Sequence, residues 1–434
     1  MVPDARTPAT VRLTSPEFIA DPYPTYAWLR QHAPVYFSED WQGFALTRYA
    51  DVLAGLRDPR LSAQRVPSGA SQSSQAMRER LEPSLRFFAR WALFADPPEH
   101  TRLRGLLNRA FLPKLIEAMR PRLQELVDDL LSGLRAPGSP EDRRAEAWAP
   151  RDIDAIAGLA APLPMLVIGE ILGLPRQDWP ALKPWSNALA AFLGARQKQP
   201  AVLEGLCDAI NELDRYFRAH IRARRQAPPR EDLLQALLSA EEQGGLLSED
   251  ELVATCGLAL FAGNETTGDL IGSAIWLLTQ HPSVQATLRQ RPEAIPAFVE
   301  EALRLESPVQ RTGRVAVQDF TLHDTLIRRG QRVWLMIGSA SRDEAQFPHP
   351  DTLDLDRSDS RHLAFGYGTH FCVGAALARL EAQLAIASLL RILPSFTLDP
   401  TQAPLRIDNL MVRGFKRLPL RLPSDDILAG SSGR

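Results

Sequence analysis

Cysteine, net charge and long apolar runs are what this sequence has little of, and each absence excludes a class of protein. Three cysteines among 434 residues argue against a disulfide framework and favour a reducing compartment, for which we take the cytoplasm. The formal net charge of −2 gives no reason to expect nucleic acid as a partner. Residues 1–20 hold charges of both signs and no long apolar stretch, so we expect neither a signal peptide nor a membrane anchor.

Helical periodicity is what the sequence does contain. The composition, 45% hydrophobic and 24% charged, is that of a globular protein. Between about residues 99 and 280 apolar residues recur at helical spacing, whereas the strand-like runs near residues 35 and 43 are short. We predict a mainly α fold with small β sheets. No composition shift marks a boundary, so we predict one domain over 21–422 between tails at 1–20 and 423–434.

The clearest predicted helix begins at Ser248. Ser248-x-x-Glu251 fits a capping box, and an apolar run continues to Leu278. At about thirty residues the helix would span roughly 45 Å. It is apolar on several sides and should be buried. We expect the polar stretch Asn264–Thr267 to interrupt it midway.

A glycine-rich loop with one cysteine runs into the last long predicted helix. Its sequence is Phe365-Gly-Tyr-Gly-Thr-His370-Phe-Cys372-Val-Gly374. A cysteine just before a helix receives free N–H groups and partial positive charge, which lower its pKa and favour a thiolate. Such a thiolate is suited to metal ligation or nucleophilic attack, although a lone free cysteine is more often a buried structural residue.

The pattern Phe-Gly-x-Gly-x-His-x-Cys-x-Gly resembles the haem-binding loop of the cytochromes P450. The resemblance implies their triangular, helix-rich fold, in which the long central helix crosses over a haem b group. Cys372 would then be the proximal iron ligand, Phe365 would pack against the thiolate side of the haem, and His370 would reach a propionate. Gly366 and Gly374 belong to the same cofactor loop.

Two further motifs fit the same family. Glu301-x-x-Arg304 puts both side chains on one helix face, and the resemblance implies a buried structural lock with Arg357. In Ala262-Gly263-Asn264-Glu265-Thr266-Thr267, a threonine hydroxyl can bond the carbonyl four residues back. By resemblance, Ala262 and Gly263 lie against the haem, Thr266 hydrogen-bonds dioxygen, and Glu265 relays protons from solvent.

The remaining predicted site residues also follow from the family register. The haem carboxylates require basic partners, which by resemblance are His100, Arg104 and Arg314 beside His370. The substrate walls would be mostly apolar, with Gln310 available for a polar group. They comprise Phe87, Phe88, Leu258, Phe261, Val309, Gln310, Thr312, Met411 and Val412.

The resemblance implies a monooxygenase that inserts one atom of O2 into a C–H or C=C bond of a small hydrophobic substrate. Terpenoids, steroids, fatty acids, polyketides and other secondary metabolites all stay open. NAD(P)H would supply electrons through ferredoxin reductase and ferredoxin, with Arg102, Arg109 and Arg361 available to meet an acidic ferredoxin.

Three alternatives share the haem site. An oxidative coupling enzyme on a carrier-bound substrate would carry every motif and stays open. A peroxygenase using hydrogen peroxide is disfavoured, because such relatives typically replace the acid–threonine pair that Glu265 and Thr266 form here. A haem protein that binds a ligand without turnover is also disfavoured, because binding alone needs no proton relay.

Overall fold

The structure is a computed structural model that describes residues 11–65, 74–134, 152–195, 199–230, 232–242, 247–393 and 395–422. Helices dominate these ranges, as predicted. In chain order they are α1 Pro16–Ala20, α2 Tyr23–His32, α3 Tyr49–Gly55, α4 Gln75–Ala89, α5 Glu99–Ala110, α6 Pro113–Ala118, α7 Arg120–Gly133, α8 Pro162–Ile171, α9 Trp179–Gly194, α10 Pro200–Arg225, α11 Leu233–Glu242, α12 Glu249–Gln280, α13 Pro282–Gln290, α14 Ile295–Leu305, α15 Ile337–Ala340 and α16 Ala375–Ile392.

The strands are short and form small sheets, also as predicted. A five-stranded sheet has the order β1-β2-β8-β5-β3, in which only the β2–β8 pair is parallel, and the other sheets are β4-β12-β9, β10-β11 and β6-β7. The strands are β1 Val35–Ser38, β2 Gly43–Leu46, β3 Leu61–Ser62, β4 Asp152–Asp154, β5 Thr312–Ala316, β6 Phe320–Leu322, β7 Thr325–Ile327, β8 Arg332–Leu335, β9 Thr397–Leu398, β10 Leu405–Arg406, β11 Phe415–Arg417 and β12 Pro419–Arg421.

Helix α12 is the central element that positions the site. The Ser248 hydroxyl accepts the Glu251 N–H at 3.2 Å and the Glu251 carboxylate accepts the Ser248 N–H at 2.8 Å, so the capping box is confirmed. Its 32 residues span about 48 Å and pack against α8, α9 and α16. The predicted interruption is wrong: the helix is continuous through 264–267 because buried residues on both sides hold it in place.

Residues before position 21 already pack into the core of the protein. Leu13 and Phe18 are buried in a cluster with Tyr26, Trp41 and Leu410. This N-terminal cluster packs against the β2–β8 part of the five-stranded sheet through Ala45 and Met336. Residues 11–20 therefore belong to the folded body in this structure, while the predicted tail at 423–434 lies outside the described residues.

The Glu301–Arg304 pair ties α14 to the meander that precedes the cysteine loop. Arg304 donates to both Glu301 oxygens at 2.7 and 2.9 Å, and Arg357 donates to the same carboxylate at 3.0 Å. Arg304 also donates to the Thr352 carbonyl at 3.0 Å, and Glu301 accepts the Asp354 N–H at 3.0 Å. All five hydrogen bonds that the Arg304 guanidinium can donate go to protein oxygens, as expected of a structural lock.

Candidate active site

A cavity of about 750 Å³ lies between α12 and the cysteine loop. Its wall combines residues from α5, α12, the β5 region, the cysteine loop and the turn at 410–412. Cys372, Thr266 and most of the predicted cofactor and substrate residues meet there, although they are far apart in the chain. The predicted residues in the wall are His100, Arg104, Leu258, Phe261, Ala262, Gly263, Thr266, Val309, Thr312, Arg314, Phe365, Gly366, His370, Cys372, Gly374, Met411 and Val412.

The cysteine loop presents its thiol to this cavity. The Cys372 N–H donates to the Phe365 carbonyl at 2.9 Å, and Gly374 caps α16. Gly366 has a φ of 69°, a left-handed conformation that favours glycine and lets the loop turn tightly. The Arg379 guanidinium lies 4.5 Å from the centroid of the Phe365 ring, behind the cavity wall.

The electrostatics of Cys372 differ from the sequence prediction. Burial raises the pKa of the Cys372 thiol, and the Gly374 N–H, Arg104 and Arg379 only partly oppose this rise. The helix terminus therefore does not by itself produce a thiolate. A thiol with a raised pKa ionises when a cation binds it directly, which suits a metal ligand better than a free nucleophile. Among the described residues no group of three His, Cys, Asp or Glu side chains could hold a bare metal ion.

Basic side chains line one edge of the cavity. The rings of His100 and His370 are 4.1 Å apart between centroids. Burial, and then Arg314, lowers the pKa of His370 to about 3, while burial lowers the pKa of Arg314 to about 10. Burial and then Arg104 lower the pKa of His100 as well. These groups oppose one another's charge, so the edge is electrostatically suited to a bound dianion.

Arg65 belongs to this edge and was not predicted. It lines the cavity, donates to the Thr312 hydroxyl at 3.0 Å, and burial lowers its pKa to about 9. The carboxylate that acts on Arg65 is Asp96, which already accepts the Ser62 hydroxyl and, at 2.8 Å, the Ala63 N–H. The signal available in the sequence was an arginine three residues after the end of the short strand β3.

The donor set fits a haem b group. Cys372 would bind the haem iron, and His100, Arg104, Arg314, His370 and Arg65 would hold the two propionates. The surrounding wall is mostly apolar, as a porphyrin ring requires. The combination of one cavity-lining thiol with a basic edge that has no opposing carboxylate partner for His370 is the observation that carries this fit.

Thr266 and Glu265 occupy different sides of α12. Thr266 lines the cavity, and its hydroxyl donates to the Ala262 carbonyl at 2.9 Å, as the sequence predicted. Glu265 faces α9, where its carboxylate accepts Lys183 Nζ at 3.0 Å and the Ser186 hydroxyl at 2.9 Å. Lys183 and Ser186 were not predicted, because only the packing of α9 on α12 brings them to Glu265.

The structure does not place Phe87 and Phe88 in the cavity wall, contrary to the prediction. Phe87 packs against α12 at Gly257, which has no side chain to obstruct the ring. Phe88 is fully buried and stacks on Phe192 at 5.5 Å between centroids. Both aromatic rings therefore belong to the core between α4, α9 and α12, while the following residues 92–94 reach the cavity.

Gln310 is a second correction to the predicted wall. Its Nε2 donates to the Ser307 carbonyl at 2.8 Å and its Oε1 accepts the Tyr26 hydroxyl at 3.2 Å. The side chain is buried beside α2 and is not among the lining residues. Because its amide bonds to Ser307 and Tyr26 and lies outside the wall, Gln310 is not part of the substrate wall.

Comparisons with known proteins agree with this site. A family model described as "Cytochrome P450" matches residues 183–422. The cytochrome P450 monooxygenase PikC of Streptomyces venezuelae is 36% identical, over 93% of this chain and 92% of PikC.

Two solved structures are similar along nearly the whole chain. P450BioI in complex with hexadec-9Z-enoic acid ligated acyl carrier protein has a TM-score of 0.84 at 33% identity, covering 94% of this chain and 100% of that one. The myxobacterial cytochrome P450 CYP267B1 in complex with myristic acid has a TM-score of 0.82 at 36% identity, covering 95% and 99%. Within the described ranges, no helix combines the length and apolar character needed to cross a membrane. The thiol loop, the basic edge and this likeness together establish that the chain belongs to the cytochrome P450 family of haem-thiolate monooxygenases.

Proposed function

We propose that this enzyme inserts one atom of O2 into a C–H or C=C bond of a hydrophobic organic substrate. The observation that carries the proposal is a single apolar cavity walled by Cys372, by the basic edge and by Thr266. Haem bound there would supply oxygen activation at its iron, and the protein would supply binding and protons. Terpenoids, steroids, fatty acids and polyketides are all suited to such a wall.

The arrangement around Glu265 supports oxygen activation over simple ligand binding. Oxygen activation needs protons delivered into a water-poor cavity. The Lys183 side chain, which donates to Glu265, is 34% exposed, so the carboxylate has a link to solvent. We assign Glu265 the solvent side of a proton path and Thr266 the cavity side. A peroxygenase, or a protein that only binds a ligand, has no need of this pair.

We further propose that ferredoxin reductase and ferredoxin pass electrons from NAD(P)H to the face beside the cysteine loop. Tyr367 and Phe371 are exposed there, and the Arg57 guanidinium lies 4.0 Å from the centroid of the Tyr367 ring. Arg361 is exposed nearby and pairs with Asp359. A surface of mixed apolar and cationic character suits an acidic ferredoxin.

The other two arginines predicted for this docking face contribute differently. Arg102 forms an ion pair with Glu251 at the start of α12 and its side chain is 35% exposed, whereas the side chain of Arg361 is 82% exposed. The side chain of Arg109 lies outside the described part of the structure. Arg361 and Arg57 are therefore the cations that we assign to ferredoxin docking.

A carrier-bound substrate is a second candidate. The similar structure of P450BioI holds an acyl chain on an acyl carrier protein. An enzyme of this type would oxidise or couple a substrate delivered as a thioester. The motifs of the haem site are the same for both candidates, so substrate delivery distinguishes them.

The test is turnover with defined electron sources. Purified haem-loaded enzyme would be given NADPH, ferredoxin reductase, ferredoxin, O2 and a panel of hydrophobic compounds, preselected by a shift of the haem spin state. We expect oxygenated product only with the complete electron chain. Product formation with hydrogen peroxide alone, at a rate equal to the complete system, would contradict the proposal. Turnover of carrier thioesters but not of free compounds would favour the second candidate.

A further inference from the structure

Arg311 is a cation in the cavity wall that the haem site does not use. It immediately precedes β5 and lines the same cavity as Cys372. The members of the basic edge lower one another's pKa, as His370 shows with Arg314, His100, Arg65 and Arg104. None of these groups shifts the pKa of Arg311, on which Tyr26 is the titratable group that acts. Arg311 is therefore electrostatically separate from the propionate edge.

The guanidinium of Arg311 is buried, and two of its three nitrogens lack a hydrogen-bond partner. The residue is 7% exposed, and its Nε and Nη1 have no hydrogen-bond partner. Among the described residues no carboxylate forms an ion pair with it. Burial lowers the pKa of Arg311 to about 9. An unpaired buried cation is costly to stability, so its presence in a ligand cavity points to a partner that arrives from outside.

Two tryptophans surround the same guanidinium. Its Cζ lies 3.7 Å from the centroid of the Trp41 ring and 4.4 Å from that of Trp334. Both tryptophans line the cavity, and the indole N–H of each is also buried without a partner. Three side chains in this part of the wall therefore carry unused donors and offer no acceptor. Such a set selects an anion over a neutral polar group.

Apolar residues lie beside these donors. Leu410 belongs to the N-terminal cluster with Trp41 and also lines the cavity, and Met411 and Val412 follow it in the wall. Val309, two residues before Arg311, pairs with Val412 through an isolated β-bridge. A ligand held at Arg311 would therefore have its remaining length against hydrocarbon surface. This part of the wall is therefore suited to an amphipathic molecule with one anionic end.

We propose that Arg311, with the indole N–H groups of Trp41 and Trp334, binds the carboxylate of an amphipathic acid whose hydrocarbon part extends into the cavity shared with Cys372. The proposal rests on the proposed function, because it takes this cavity as the substrate site. With the tryptophan rings against its faces, the guanidinium presents the N–H groups of its edge, and these match the two oxygens of a planar carboxylate. The substrate class is accordingly a free long-chain carboxylic acid.

The test compares straight-chain acids with their methyl esters on haem-loaded enzyme. Binding would be measured by calorimetry and by the haem spin-state shift, for the wild type, for Arg311→Met and for the exposed control Arg417→Met. We expect the wild type and the control to bind each acid at least about tenfold more tightly than its ester. Arg311→Met should lose this preference while keeping ester affinity.

Three results would overturn the inference. Retained preference for acids in Arg311→Met, or no preference in the wild type, would show that Arg311 does not bind the carboxylate. Loss of haem from Arg311→Met would make Arg311 a propionate partner. Equal, Arg311-dependent binding of acyl thioesters on a carrier protein would assign the site to the phosphate of the carrier arm. Continued NADPH-driven oxygenation of neutral compounds in any of these cases would leave the proposed function intact.

Discussion

At the scale of single residues, the three cysteines differ in what they can do. Cys207 and Cys256 are buried in the apolar core, and burial raises the pKa of Cys256 to about 12. Cys372 alone among them lines the cavity, and Arg104 and Arg379 partly oppose the rise that burial causes in its pKa. Only Cys372 therefore has access to a cofactor.

Replacing Cys372 tests this assignment directly. Cys372→Ser should lose the red-shifted Soret band of the reduced, carbon-monoxide-bound protein, because a hydroxyl does not replace a thiolate ligand. Cys207→Ala and Cys256→Ala should keep the band. Difference spectra of the three purified variants provide the measurement. A thiolate band in Cys372→Ser would refute the assignment.

Thr266 and Glu265 should fail in different ways when they are replaced. Thr266→Ala removes the cavity-side hydroxyl but little volume, so haem binding survives while proton delivery becomes less effective. Consumption of NADPH should continue, with hydrogen peroxide rising as product falls. Glu265→Gln removes the carboxylate held by Lys183 and Ser186, and the whole cycle should slow.

Product, peroxide and cofactor oxidation have to be measured together for both variants. Ser186→Ala offers a matched comparison, because it removes the hydroxyl that donates to Glu265 without touching the cavity wall. Unchanged product per NADPH in Thr266→Ala would mean that protons reach the cavity by another route, for which Thr267 offers a second hydroxyl of α12 in the wall.

At the scale of elements, the lock between α14 and the meander holds the segment that leads to the cysteine loop. Arg304 and Glu301 are almost completely buried, with side chains 0% and 2% exposed. Such a pair is weak evidence for net stability, but losing one partner leaves a buried charge uncompensated. The lock is therefore a place where single substitutions have large effects.

Glu301→Ala should destabilise the protein by about 3–5 kcal/mol, because Arg304 and Arg357 lose their shared carboxylate. This is a large share of a typical stability of about 5–15 kcal/mol. Urea denaturation and haem content provide the measurement. Glu117→Ala, which breaks the exposed i, i+3 pair with Arg120, should change little. Normal yield, haem content and unfolding midpoint in Glu301→Ala would rule out the structural role.

At the scale of the whole molecule, buried carboxyl groups make stability depend on pH. Glu381 on α16 is 2% exposed, its Oε2 has no partner, and burial raises its pKa well above the ordinary value of 4.5. The folded state keeps a proton that the unfolded chain releases. The stability from this group is complete below pH 4.5 and is lost as the pH rises towards the folded-state pKa.

Glu381→Gln should remove this loss. Between pH 5 and 8 the free energy of unfolding of the variant should fall less than that of the wild type, by up to about 1.4 kcal/mol per pH unit for one proton. Chemical denaturation at several pH values provides the measurement, with the exposed Glu204→Gln as control. Parallel pH profiles for Glu381→Gln and the wild type would show that this carboxyl ionises freely in the fold.

The sequence by itself determined the features that are encoded in contiguous residues. The capping box of α12, the glycine loop around Cys372 and the Glu301–Arg304 pair each span ten residues or fewer. Local geometry therefore specifies each of them. The hydroxyl of Thr266 donates to the carbonyl of Ala262, four residues earlier in the helix, as predicted and for the same reason. The mainly α class also follows from local periodicity.

Tertiary packing alone decided what faces the cavity and how strongly it is charged. Phe87 lies outside the cavity wall because it packs against Gly257, and Gln310 lies outside it because it accepts the Tyr26 hydroxyl. Lys183 reaches Glu265 only through the contact of α9 with α12. The raised pKa of Cys372 and the isolation of Arg311 depend on burial by segments distant in the chain. Desolvation is a property of the assembled fold, and no local pattern in the sequence measures it.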